Sequence, residues 1–101
     1  MAYRVRWSDS ALERATEFLD FIAEENPGAA RRVVQDLFDR VEALSEHPLL
    51  GRRLSDEVDP SLRRLVVGSY IVVYQLNEYR QTIWVVAVRH SRQSPLPQEV
   101  S

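Results

Sequence analysis

The stretch Leu62–His90, LRRLVVGSYIVVYQLNEYRQTIWVVAVRH, decides the fold. It holds three runs, Leu62–Val67, Tyr70–Leu76 and Thr82–Val88, rich in Val, Ile, Tyr, Trp and Thr. Those residue types suit a pleated, half-buried surface. Gly68-Ser69 places Gly first in a two-residue link, as a type II′ hairpin requires, because Gly accepts positive φ. Asn77–Gln81 makes a longer polar link. The pattern predicts a three-stranded antiparallel meander. The runs barely alternate, whereas a sheet with one wet face does, so both faces of the middle and last strands are expected to be covered.

The preceding chain supplies one cover. Ala2–Trp7 alternates, with Tyr3, Val5 and Trp7 opposite Arg4 and Arg6, which reads as a half-buried strand whose arginines deter edge pairing. Ser8 or Ser10 caps a first helix, with Glu13 at capping-box spacing from Ser10. Its apolar stripe is Leu12, Ala15, Leu19, Ile22 and Ala23, widened by Phe18 and Phe21. Asn26-Pro27-Gly28 ends this helix and starts the next, with Asn26 as cap and Pro27 in the first turn. The second helix is expected to run from Gly28 to Glu46, with the stripe Ala30, Val33, Val34, Leu37, Phe38, Val41 and Leu44. Two stripes joined by so short a link form a helical hairpin, and the sheet is the apolar surface left for it to cover. Arg52–Ser61 reads as a polar loop leading into the sheet. The fold class is α+β, in the order β-α-α-β-β-β, with the helical hairpin on one face of a small antiparallel sheet and the first strand at an edge or beside the last. Residues 1–92 are expected to form a single domain, and 93–101, with Pro95 and Pro97, an extended tail.

Composition bounds the chemistry. The chain of 101 residues is 45% hydrophobic and has no cysteine, which excludes disulfides and thiolate metal sites. His47 and His90 are too few and too far apart for a zinc site, so no metal or cofactor is expected. No apolar stretch is long enough to span a bilayer, and no signal peptide is visible, so a cytoplasmic location is expected without membrane contact. The net charge of −2 conceals an asymmetry. Residues 1–50 hold six Arg against ten acids, and residues 51–101 hold seven Arg against five. All thirteen cations are Arg, so no amine is available as a base or Schiff-base former. Every cation is a planar fork suited to carboxylate or phosphate.

The candidate residues sit in or near the sheet. Arg63 and Arg64 are consecutive in a strand and point to opposite faces. Strict alternation on the last strand puts Trp84, Val86, Val88 and His90 on one face and Ile83, Val85, Ala87 and Arg89 on the other. His90 is a possible acid/base or phosphate donor near Arg64 or Arg92, or a strand-end histidine bonded to the backbone. Arg63 and Arg64 either pair with Asp56, Glu57 or Asp59 or face a partner. Tyr70 and Tyr74 either pack in the sheet or form a stacking platform. His47 is placed at a helix C-terminus.

The first strand leading into a Ser-started helix, NPGAARRV, EHPLLGRR, LRRLVVGSYIVVYQL and TIWVVAVRHSR occur in that order over nearly the whole chain. In this the sequence resembles the RelE/ParE superfamily of bacterial toxins from type II toxin–antitoxin modules. The resemblance implies a cognate antitoxin, whose flexible segment wraps the toxin in a hetero-oligomer. Such a segment would cover the second sheet face and pair its carboxylates with arginine forks. Partner-binding residues are then Arg52, Arg63, Arg64, Tyr70, Tyr74, Trp84 and Arg92. RelE-like members are ribosome-dependent endoribonucleases that cut messenger RNA with clustered basic residues and a late Tyr or His; ParE-like members poison DNA gyrase. The lysine-based ribonuclease site is absent here, which leaves an Arg64, Arg89 and His90 version. The negative charge argues against a binder of ribosomal RNA, and the NP-x-AA-x-R and P-x-x-GR stretches look more like ParE. Gyrase poisoning is the expected activity, with ribosome-dependent cleavage of messenger RNA as the alternative.

Overall fold

The computed structural model describes residues 2–54 and 59–91. Along the chain come β1 (Arg4–Trp7), α1 (Asp9–Glu25), α2 (Pro27–Glu42), a 3-10 turn (Ala43–Ser45), β2 (Arg52–Arg53), β3 (Leu62–Val67), β4 (Tyr70–Asn77) and β5 (Thr82–His90). The strands form one sheet in the order β1-β5-β4-β3-β2. β3, β4 and β5 are the expected antiparallel meander. β1 lies at the edge and pairs parallel with β5. The α+β architecture thus follows the sequence reading, apart from β2.

Local chemistry explains the boundaries. Ser8 Oγ accepts the Ala11 N–H at 3.1 Å, which makes Ser8 and not Ser10 the cap of α1. Asn26 serves both helices: its N–H donates to the Ile22 carbonyl at 2.8 Å, and its side chain accepts the Ala29 N–H at 3.0 Å. α2 stops at Glu42, short of the expected Glu46, and tightens into the 3-10 turn. Pro48 accounts for this, because the residue before a proline avoids the α region and helices shorten toward it. Gly68 has φ +59° in the β3–β4 hairpin, as the turn type demands.

The helical hairpin covers one sheet face. Ala11, Ala15, Leu37, Val41 and Leu44 pack on Leu65, Val67, Val72, Tyr74, Leu76, Ile83, Val85 and Val88. Ala11 takes the core position next to Leu12, which is 41% exposed. The rest of the expected α1 stripe holds, with Ala15 buried and Phe18, Leu19 and Ile22 half-buried, and the small side chains of Ala11 and Ala15 let the helix approach β5 closely.

Two features depart from the sequence reading. The expected loop after Gly51 opens with β2, whose Arg52 and Arg53 pair with Arg64 and Arg63. β5 carries a bulge: Tyr74 pairs with Val85 and Val73 with Ala87, leaving Val86 without a partner. An extra residue reverses every side chain beyond it. Val88 and His90 therefore join Ile83 and Val85 on the helix side, while Ala87 and Arg89 join Trp84 on the other. Strict alternation had grouped Trp84 with His90, and Ile83 with Arg89.

Candidate functional site

The helix-free face of the sheet follows from register. One row runs Val66–Ile71–Arg89. The next runs Arg52–Arg64–Val73–Ala87. A third runs Leu62–Gln75–Trp84–Arg6. Four arginines from four strands therefore share a surface with a short apolar strip. Its centre is closed: Ile71 is 9% exposed, Val73 3% and Arg89 8%. Its rim is open, with Val66 at 56% and Trp84 at 43%, and with Arg6, Arg52 and Arg64 exposed. The expectation that both faces are covered holds for β4 and fails for Trp84.

The sequence-selected residues divide between the two sides. Arg52, Arg64, Trp84 and Arg89 meet on the helix-free face. His90 lies on the helix side, edge-on to Tyr70 with centroids 5.2 Å apart, and Tyr70 in turn packs on Phe18 at 5.3 Å. The backbone of the sheet thus lies between His90 and the pair Arg64 and Arg89. The bulge at Val86 causes that split. Tyr70, expected at a partner surface, is buried in this ring stack, and burial raises its phenol pKa.

Tyr74 was expected at a partner surface and is instead fully buried. Its hydroxyl donates to the Pro48 carbonyl at 2.8 Å and accepts the Gly51 N–H at 2.9 Å. Burial raises its pKa, against smaller opposing effects of the Gly51 hydrogen bond and the Arg63 charge. Arg63 belongs to the same assembly rather than to a free surface: its Nε donates to the Gly51 carbonyl at 2.8 Å. The turn 48–51 is thereby tied to the sheet, and this positions β2 with Arg52. Asp59, one of the anticipated partners of Arg63 and Arg64, caps Ser61, whose hydroxyl and N–H hold its carboxyl below the ordinary pKa. Arg92, Asp56 and Glu57 lie outside the described residues, as does the tail 93–101. His47 sits past the 3-10 turn, exposed, with its N–H on the Ala43 carbonyl at 2.9 Å.

Sequence reasoning missed Arg6 and Arg40. Arg6 reaches the site through the parallel pairing of β1 with β5. Arg40 lies in the last turn of α2, and with Arg52, Arg64, Leu50, Leu65 and Val66 it lines a groove of about 310 Å³ at the sheet edge.

Guanidiniums stay protonated across the working pH range and give no general acid or base. Of the residues selected from the sequence for the sheet, those that could move a proton, Tyr70, Tyr74 and His90, lie on the helix side. The helix-free face is therefore equipped to recognise anions and apolar groups, and its described residues hold no proton-transfer pair.

The sequence matches the family described as the ParE toxin of type II toxin–antitoxin system, parDE, over residues 5–95. Y4kP of Sinorhizobium fredii, a protein named as a toxin, is 34% identical over 94 residues, covering 89% of this chain and 90% of its own. Among solved structures, the chromosomal ParDE system of Pseudomonas aeruginosa superposes with TM-score 0.71 at 18% identity, over 88% of this chain and 96% of that one. The toxin–antitoxin complex RelBE2 of Mycobacterium tuberculosis gives 0.63 at 23%, over 89% and 99%. The isolated Escherichia coli RelE toxin gives 0.64 at 16%, over 92% and 88%. At these identities the structural likeness establishes the fold.

Proposed function

The chain belongs to the ParE toxin family of type II toxin–antitoxin systems, and from that premise we propose that it is a poison of DNA gyrase, held inactive by a cognate antitoxin. One observation carries the choice of target. A ribonuclease built on Arg64, Arg89 and His90 needs the imidazole beside the phosphate that the arginines hold, because a general acid or base must reach the proton it transfers. Here the imidazole stands on the far side of the sheet, edge-on to Tyr70. A binding toxin needs no such convergence. It needs a surface with shape and charge, and the helix-free face has both.

The antitoxin reading has its own support. Two of the structural relatives are toxin–antitoxin systems, and this chain leaves apolar Val66 and Trp84 open between cations. Expression without the antitoxin tests the proposal in cells. The expected result is induction of the DNA-damage response and filamentation, relieved by co-expressing the antitoxin. Arrest of translation with intact DNA would assign the chain to ribosome-dependent cleavage of messenger RNA instead.

A further inference from the structure

Charge is divided between the two layers of the fold. The five strands hold seven arginines and no acidic residue. Helices α1 and α2 hold nine acidic residues against four arginines, and all nine acids are exposed. The net charge of −2 therefore conceals a basic sheet and an acidic back. On the helix-free face the exposed cations form two rims. Arg4 and Arg6 alternate onto it from β1, whose register sets them beside Thr82 and Trp84. Arg52 and Arg64 stand opposite, on β2 and β3. Three strand spacings separate β3 from β1 in the sheet order, which is roughly 14 Å. All four arginines are exposed, and none makes a hydrogen bond or ion pair with a described residue.

Trp84 stands between the rims. Beside it is a hollow of about 410 Å³, lined by Trp7, Ser8, Asp9, Gln75, Trp84 and Val86. The bulge residue Val86 is part of its wall, a common placing for bulges at binding sites. Gln75 Nε2 donates to Ser61 Oγ at 3.2 Å, which leaves the Gln75 side-chain carbonyl available as an acceptor. The exposed carboxylate of Asp9 makes no hydrogen bond or ion pair with a described residue either.

We infer that the helix-free face seats on DNA within the gyrase–DNA complex, with backbone phosphates on the two arginine rims and an unstacked base against Trp84. This rests on the gyrase reading above and names the component of the complex that the toxin touches. The spacing of the rims is close to the width of a major groove, about 12 Å, so each rim can follow one backbone. Phosphates suit planar guanidinium forks. A base leaving the stack meets an indole face, and its amino group meets acceptors on Gln75 and Asp9. Asp9 repels phosphate, so the hollow takes the base and not the backbone. Unstacking costs least where the duplex is already damaged or single-stranded, as at a break. Resealing needs the broken ends in line, and misplacement by about an ångström can slow a reaction about 100-fold. A base held on Trp84 keeps the DNA cleaved without any proton transfer by the toxin.

The test uses purified gyrase, plasmid DNA and the toxin. Arg6→Glu combined with Arg64→Glu should raise the toxin concentration needed for linear DNA about 10-fold or more, through lost phosphate contacts. Trp84→Ala should have an effect of about the same size through lost stacking, and Trp84→Phe should recover most of it. Arg31→Glu combined with Arg32→Glu, on α2, changes the net charge equally and should leave poisoning intact. Thermal melts of the arginine variants should match the parent, because these side chains are exposed. A benzophenone side chain placed at position 84 should cross-link to DNA in the cleaved complex. Cross-linking to a gyrase subunit alone overturns the inference and leaves the gyrase reading standing. So does undiminished poisoning by the Trp84→Ala and Arg6, Arg64 variants, or an equal loss in the α2 variant. A toxin mass that grows with concentration, and returns to one chain in the Arg6, Arg64 variant, would give the face to the acidic helices of a second copy in head-to-tail contact and overturn it too. Absence of cleaved DNA with the wild-type toxin would refute the gyrase reading itself.

Discussion

Gly51→Ala is expected to be among the most damaging single-methyl changes in this protein. Gly51 is buried where the turn 48–51 enters β2. A Cβ there would lie 2.6 Å from the Arg64 carbonyl oxygen and 2.7 Å from both Cε1 and the hydroxyl of Tyr74. An ordinary contact needs close to another ångström on each side. Neither neighbour is free to give it. The Arg64 carbonyl belongs to the strand that pairs with β2, and the Tyr74 hydroxyl is fixed by Pro48 and by Gly51 itself. Overpacking of this kind costs about 1–3 kcal/mol. Displacing the tyrosine leaves a buried N–H and C=O without partners, at about 1–3 kcal/mol more. The sum is roughly 2–6 kcal/mol, which at about 4–8 °C per kcal/mol for a domain of this size lowers Tm by roughly 10–50 °C. Tyr74→Phe should bear only the second part of that cost. The two changes share partners, so their combination should cost less than the sum of the singles. Urea and thermal unfolding of the three variants measure this. A Gly51→Ala protein within about 0.5 kcal/mol of the parent, as for a typical surface substitution, would refute the proposed tie between the turn and the sheet.

Ser8→Ala removes the cap of α1 and should destabilise by about 1 kcal/mol, while Ser10→Ala should cost much less; equal effects would contradict the assignment of the cap. Burial holds the phenols of Tyr70 and Tyr74 neutral above the ordinary tyrosine pKa of 10.0. The unfolded chain therefore loses these protons first as pH rises, and the contribution of the two phenols to stability should be constant below pH 10 and fall above it toward the folded pKa values. Urea midpoints on either side of pH 10, read with tyrosinate absorbance, check the sign, and a midpoint that rises with pH would contradict it. His90→Ala removes an edge-on ring contact worth about 0.5–1.5 kcal/mol, and should retain toxicity; a folded but harmless variant would return His90 to the functional site.

The fold was legible where information is local. The Gly68 turn, the two β-rich runs beside it and the Asn26 double cap each declare themselves within a few residues. What escaped depends on residues far apart in sequence. Arg52-Arg53 has no strand signal of its own and becomes β2 only because β3 pairs with it. The bulge falls in an apolar run, Trp84–Val88, where nothing marks Val86 as the extra residue, and it alone reverses the faces of Arg89 and His90. Tyr70 and Tyr74 look interchangeable in sequence, yet one packs in an aromatic stack and the other anchors a turn by its hydroxyl. The arginine asymmetry did point to the sheet. It gave no indication of Arg6 or Arg40, which arrive from β1 and α2 through tertiary pairing.

Purified gyrase, supercoiled plasmid and this protein in one reaction address the target directly. The account requires linear DNA to accumulate with toxin concentration and to vanish when antitoxin is added. Supercoiling that proceeds without cleaved DNA, together with cut messenger RNA in a purified translation mixture, would contradict it.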